Sequence, residues 1–170
     1  MAPIQILVNN FLYDVSQVAI PMDSVDAEYL TKPRPWNVES IKKFMITIGP
    51  VSSVFDFITF GILLFVFHAP EAFFHTGWFI ESLCTQTVII HVIRTSKVPI
   101  LESRPSAALA ATTAGIILFG ILLTFSQFGR SFGFVPMPLE FFGALALIVG
   151  CYVVSVQLVK NWFARKYGYY

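Results

Sequence analysis

The chain has 170 residues, 56% of them hydrophobic and 12% charged, with a mean hydropathy of +0.72. Soluble domains carry about 25% charged residues, so this chain has too few to cover a water-soluble globule. With a net charge of +1 no overall field points to nucleic acid, and no nucleic-acid partner is expected. The composition points instead to an all-α integral membrane protein, a bundle of five transmembrane helices in a lipid bilayer. Each apolar run far exceeds the roughly 10 residues of a barrel strand, and none alternates with period two.

The first predicted helix covers about residues 2–20 and is closed by Pro21. It carries Asn9, Asn10 and Asp14. An ionisable group at bilayer depth costs several kcal/mol and marks a candidate functional site. Asn10 and Asp14 are four apart, so they share one helical face about one turn apart. A carbonyl oxygen and a carboxylate are the hard ligands that Mg2+ or Ca2+ prefers. Two ligands do not complete a site, so other helices must contribute. A polar pair that hydrogen-bonds neighbouring helices is the competing reading.

The second predicted helix runs over about 41–67 and holds Asp56 below Ser52 and Ser53; a carboxyl bonded to nearby hydroxyls or backbone is the expectation there. The third, about 74–93, carries Glu81 early, Gln86 near its centre and His91 near its end. Glu81 and Gln86 are five apart and do not stack squarely on one face. With Asp56 they are additional candidate ion ligands, while His91 reads as a packing histidine. The fourth helix spans about 107–125 and the fifth about 139–159. Cys84 and Cys151 lie in apolar runs and read as small membrane residues rather than a disulfide or a metal site. Trp36, Trp78 and Trp162 fall near helix ends, where interfacial anchors belong. There is no Gly-rich phosphate loop, no His-Glu-x-x-His and no Cys-x-x-Cys, so no catalytic residue is assigned.

Ten of the 11 Lys and Arg residues fall on one side of this arrangement, and Arg130 alone on the other. Lys32, Arg34, Lys42 and Lys43 are in the first connection, Arg94, Lys97 and Arg104 in the third, and Lys160, Arg165 and Lys166 in the tail. The positive-inside rule places these segments, and the C-terminus, in the cytoplasm. Met1 then starts outside, and a chain entering in mid-topology is expected to be the end of a longer polypeptide.

Several stretches resemble P-type cation-transporting ATPases. Pro3-Ile4-Gln5 through Asn10-Phe11-Leu12-Tyr13-Asp14 is similar to their sixth transmembrane helix, and Lys32-Pro33-Arg34 to the loop that follows. Gly49-Pro50-x-Ser52-Ser53-x-Phe55-Asp56 resembles the seventh helix, and Trp78-Phe79-x-Glu81 with Gln86 and Arg94-Thr95 the eighth. The likeness runs the whole length, as helices six to ten, and is nearest to the bacterial magnesium-translocating ATPases. The Asn-x-x-x-Asp motif by itself is shared with calcium and proton pumps; the combination is more specific.

The resemblance implies that residues 1–170 are the C-terminal transport domain of a multi-pass pump in the plasma (inner) membrane. It assigns Asn10 and Asp14 to the central ion site and makes Gln86 a further ion-binding position. Tyr13 stands where calcium pumps place a Thr ligand, and Ile89 is apolar where other pumps are polar; both argue against a calcium-type pair of sites. Mg2+ would be the transported ion. ATP, the phosphorylated aspartate and the first helices would lie in the upstream part of the same polypeptide, so this chain alone would not be the enzyme. A calcium or proton pump, or a stand-alone non-enzymatic membrane subunit, are the alternatives.

Overall fold

The computed structural model describes residues 1–24, 38–95, 97 and 102–167. Lys32, Pro33, Arg34 and Trp36 lie outside them. The elements are α1 (Pro3–Gln17), a 3-10 turn (Ile20–Met22), α2 (Val38–Gly61) with a π-helical turn (Ile62–Val66), α3 (Glu71–Ile93), α4 (Ala107–Phe125), a short α5 (Gln127–Ser131) and α6 (Leu139–Tyr167). The chain is thus an all-α membrane bundle, with five long helices among the described residues.

Helix ends follow local chemistry. Pro21 has no N–H, and in a continuing helix its ring would clash with the Gln17 carbonyl. The α-helix therefore stops at Gln17 rather than at residue 20, and the chain winds into the tighter turn. Pro50 inside α2 removes one ladder bond. Farther on, α2 widens into its π turn and closes with His68 in the left-handed region at φ 46°. There Ala69 N–H donates back to Leu63 O at 2.9 Å, which occupies a carbonyl at the helix end. Ser106 caps α4 by accepting from Leu109 N–H at 3.2 Å, and α4 has the bounds expected from sequence. α6 continues well past residue 159, because the Lys160 side chain is only 3% exposed and sits in the helix, not in a solvated tail.

Three segments, Ile41–Val66, Ala107–Phe125 and Leu139–Tyr167, are long and apolar enough to cross a membrane. α1, at 15 residues, extends about 22 Å, short of the roughly 30 Å hydrocarbon core. α3 is long enough but polar for a span. The packing explains it: α3 contacts α1, α2, α4 and α6, so little of it would face lipid. Its hydroxyls bond its own carbonyls, Thr76 to Ala72 O at 2.8 Å and Thr87 to Leu83 O at 2.7 Å.

Two apolar clusters surround α3. Leu12, Leu63, Phe79, Leu83, Phe134 and Phe141 fill one, and Ile48, Phe55, Val92, Tyr152 and Val156 the other. The second is tied by a 2.8 Å hydrogen bond between Ser52 Oγ and Tyr152 Oη. Gly120 lets α4 approach α3, since a Cβ there would lie 2.2 Å from Leu83 Cδ2. Gln5 Nε2 donates to Phe132 O at 3.1 Å, which puts the start of α1 beside the turn carrying Arg130. Lys43, Arg94, Lys160 and Lys166 gather at the opposite end, around Tyr167, Trp162 and the end of α3. Cys84 is buried and Cys151 exposed, and both are free thiols.

Candidate ion-binding site

α1 buries Gln5, Asn9, Leu12 and Ser16. These positions recur at helical spacing and pack against α3 and α4. Asn10 and Asp14 are therefore turned off the packed stripe, and both are exposed on this chain. Among the described residues neither has a hydrogen-bond or ion-pair partner. Leu7 and Phe11 on the same side are each 65% exposed. The two candidate ligands thus sit in an open apolar face instead of gluing neighbouring helices of this chain together.

The other candidates form a separate group. Asp56 of α2 and Glu81 of α3 are near enough for their carboxyls to interact, and Trp78 lies beside Asp56. This differs from the sequence expectation of nearby hydroxyls, because Ser52 is engaged by Tyr152 instead. Glu81 is 1% exposed, and its Oε2 has no hydrogen-bond partner. Thr85 lies one turn on, its hydroxyl donating to Glu81 O at 3.1 Å. Gln86 is half-buried and donates from Nε2 to Ser82 Oγ at 2.7 Å, so it does not join the carboxyl pair. His91 packs against α4, its Nε2 3.1 Å from Thr113 Oγ1.

Chemically these oxygens suit a hard cation, but they are incomplete. Among the described residues no cluster of three or more His, Cys, Asp or Glu side chains could hold a metal ion. The Asn10–Asp14 face carries one amide oxygen and one carboxylate, both exposed.

Sequence reasoning missed the polar ties at the basic end. Asp23 accepts from Arg94 Nη1 at 2.5 Å and from Ser106 N–H at 2.7 Å. Lys160 Nζ donates to Val92 O, Thr95 O and Lys97 O at 2.9, 3.2 and 3.1 Å. No spacing rule pairs residues this far apart in sequence. The available signal was a Lys in mid-helix phase with buried Tyr152, Val156 and Phe163.

Comparison with known proteins agrees with this architecture. The chain is 43% identical over 99% of its length to "Magnesium-transporting ATPase, P-type 1" of Escherichia coli (strain K12). It is 42% identical, again over 99%, to the protein of that name from Salmonella typhimurium (strain 14028s / SGSC 2262). A further one from Salmonella typhimurium (strain LT2) is 39% identical. The chain spans only 19% of the length of each of these relatives. The family model "Cation transporting ATPase, C-terminus" matches residues 1–162, and the chain belongs to that family.

Proposed function

We propose that the chain is the C-terminal membrane part, residues 1–170, of an ATP-driven pump that moves magnesium into the cell, and that Asn10 and Asp14 contribute to its ion site. The observation that carries this is the exposed Asn10–Asp14 face, unpartnered among the described residues, on a helix whose other face is packed. Two polar ligands turned toward hydrocarbon would cost several kcal/mol, so a polar or ligand-bearing surface from elsewhere must cover them. Relatives about five times longer leave room for a source: membrane helices and ATP-binding domains would lie in the upstream part of the same polypeptide. Relatives named for magnesium transport support Mg2+ as the cargo, as does its reluctance to shed water, which a loose two-ligand face accommodates.

Phosphorylation of the upstream domains would bias two arrangements of the helices, so that Asp14 meets each side of the membrane in turn. With the basic end of the bundle in the cytoplasm, the pump would reside in the cell membrane. Glu81, Asp56 and Gln86 would line the interior near the route rather than complete the Asn10–Asp14 set. The test is Asp14→Ala in the full-length polypeptide. Magnesium-stimulated ATP hydrolysis should be abolished while nucleotide binding persists; normal magnesium-dependent turnover would refute the site, and stimulation by Ca2+ in place of Mg2+ would refute the cargo.

A further inference from the structure

At the basic end of the bundle, one carboxylate joins three elements. Asp23 follows the 3-10 turn after α1. Its Oδ2 lies 2.5 Å from Nη1 of Arg94, the residue that caps α3. Its Oδ1 accepts at 2.7 Å from the N–H of Ser106, the residue that caps α4. Arg94 is used twice more, donating to Ser24 O at 3.4 Å and from Nη2 to Ser103 Oγ at 3.1 Å. The Arg94 and Asp23 side chains are only 8% and 12% exposed. A nearly buried, charge-assisted pair is far less screened than a surface one.

The chain between Asp14 and Asp23 transmits position. α1 runs to Gln17, and Val18 N–H bonds Val15 O at 3.3 Å. Met22 N–H then bonds Ala19 O, and Asp23 N–H bonds Ile20 O, each at 3.0 Å. Hydrogen bonds thus recur along the backbone from the Asp14 turn to the Asp23 carboxylate, with Pro21 stiffening the last step. The other half of the pair is anchored: Arg94 N–H bonds Ile90 O at 3.0 Å, and Lys160 of α6 holds the carbonyls on either side of Arg94. Other polar ties to α1 are weaker, Gln5 to Phe132 O at its start and the Thr112 hydroxyl to Ser16 O at 3.2 Å.

We propose that Asp23 and Arg94 are positioning residues for the ion site: their pair fixes the depth and tilt of α1 against α3 and α4, and so sets where Asn10 and Asp14 stand. This rests on the reading of Asn10 and Asp14 as ligands. Neither Asp23 nor Arg94 touches the ion.

The test uses the full-length polypeptide with Asp23→Asn, Arg94→Gln and the double variant. Each single change should raise half-saturating magnesium for ATP hydrolysis about tenfold, the size expected of a ligand displaced by a fraction of an ångström to an ångström. Maximal turnover and half-saturating ATP should stay within about twofold. The double variant should be no worse than the worse single one, because the pair acts as a unit. Single variants with unshifted half-saturation, or single effects that multiply in the double, overturn the proposal. Where a variant fails to accumulate, Asp23→Glu keeps the charge and displaces it by one methylene; its magnesium half-saturation should rise by severalfold, and an unchanged value overturns the proposal. A second readout does not depend on the cargo. Ser16 is fully buried beside Thr112, so a Ser16→Cys thiol should resist alkylation with the pair intact and react once Asp23→Asn is added. Equal protection with and without Asp23→Asn overturns the proposal. A full-length protein that ignores magnesium would remove the pump reading, while the alkylation result would still decide whether the pair holds α1.

Discussion

Lys160 makes the most quantitative prediction. Its Nζ donates to three carbonyls, Val92 O at 2.9 Å, Lys97 O at 3.1 Å and Thr95 O at 3.2 Å. Val92 O is one of the carbonyls that the end of α3 leaves without an intrahelical partner, and Thr95 O and Lys97 O lie just beyond that end. Lys160→Met keeps the stem and the apolar packing but removes all three donors. Hydrogen bonds from a charged donor contribute about 1.5–3 kcal/mol each, so the gross loss exceeds about 4.5 kcal/mol. Part is recovered, because an ammonium that is 3% exposed no longer has to be dehydrated. Water entering from the polar end replaces some of the lost bonds. A net loss of about 2–4 kcal/mol in local stability follows. Hydrogen exchange in the full-length protein reads it directly: amides at 90–95 should exchange about 30- to 700-fold faster, at 1.4 kcal/mol per factor of ten. Exchange within about threefold of the parent would refute the claim that Lys160 pins α3 to α6.

Gly129→Ala should destabilise the α4–α5 corner by about 2 kcal/mol or more, because a Cβ would sit 1.9 Å from the Leu123 carbonyl oxygen, a backbone atom that cannot rotate away; a thermal midpoint equal to the parent's would refute that. At the Asp23 carboxyl, burial favours the neutral form, but the Ser106 N–H bond and Arg94 outweigh it and hold the group below the usual carboxylate range. Its stabilisation is therefore complete above the unfolded-state value of about 3.9 and is lost as pH falls through the lower folded-state value. The difference in thermal midpoint between the parent and Asp23→Asn should be level from pH 7 to about 4 and shrink below that; a difference that does not shrink in acid would count against the ion pair.

Much of this fold was legible because lipid-facing helices advertise themselves. α4 carries no charged residue and is bounded by Pro105 and a Ser106 cap, and its ends match the expected 107–125. α6 was read short because Lys160, Arg165 and Lys166 looked like a solvated tail, whereas Lys160 points into protein. The Asn10–Asp14 spacing was visible, but their outward orientation depends on which α1 stripe meets α3. The Asp56–Glu81 meeting was readable in principle. α2 and α3 form a hairpin, with Asp56 twelve residues before His68 and Glu81 twelve after Ala69. Antiparallel neighbours place equidistant residues at equal depth. Asp23, Arg94 and Ser106 carry no such symmetry, and only the folded chain brings them together.

The distribution of polar groups bears on how such a bundle could work. α3 is polar yet enclosed, and most of its hydroxyls are satisfied by its own carbonyls. A helix satisfied internally can be packed on all sides without demanding partners, so its polarity does not weaken the core. Its basic end is gripped by Asp23 and by Lys160, and its middle by apolar clusters on both sides. α2, α3, α4 and α6 therefore form a packed frame, in which Thr59 Oγ1, Glu81 Oε2, His91 Nδ1 and Gln157 Oε1 are buried without a hydrogen-bond partner among the described residues. α1 is the shortest of the five long helices among the described residues, it packs against α3 and α4, and its open face carries Asn10 and Asp14, which have no hydrogen-bond or ion-pair partner among the described residues. A packed frame carrying one helix with an open polar face is what the proposed reading needs. On the proposed reading, the upstream helices that move during transport would close over α1, and the frame would keep Asp14 at a fixed depth while they do so.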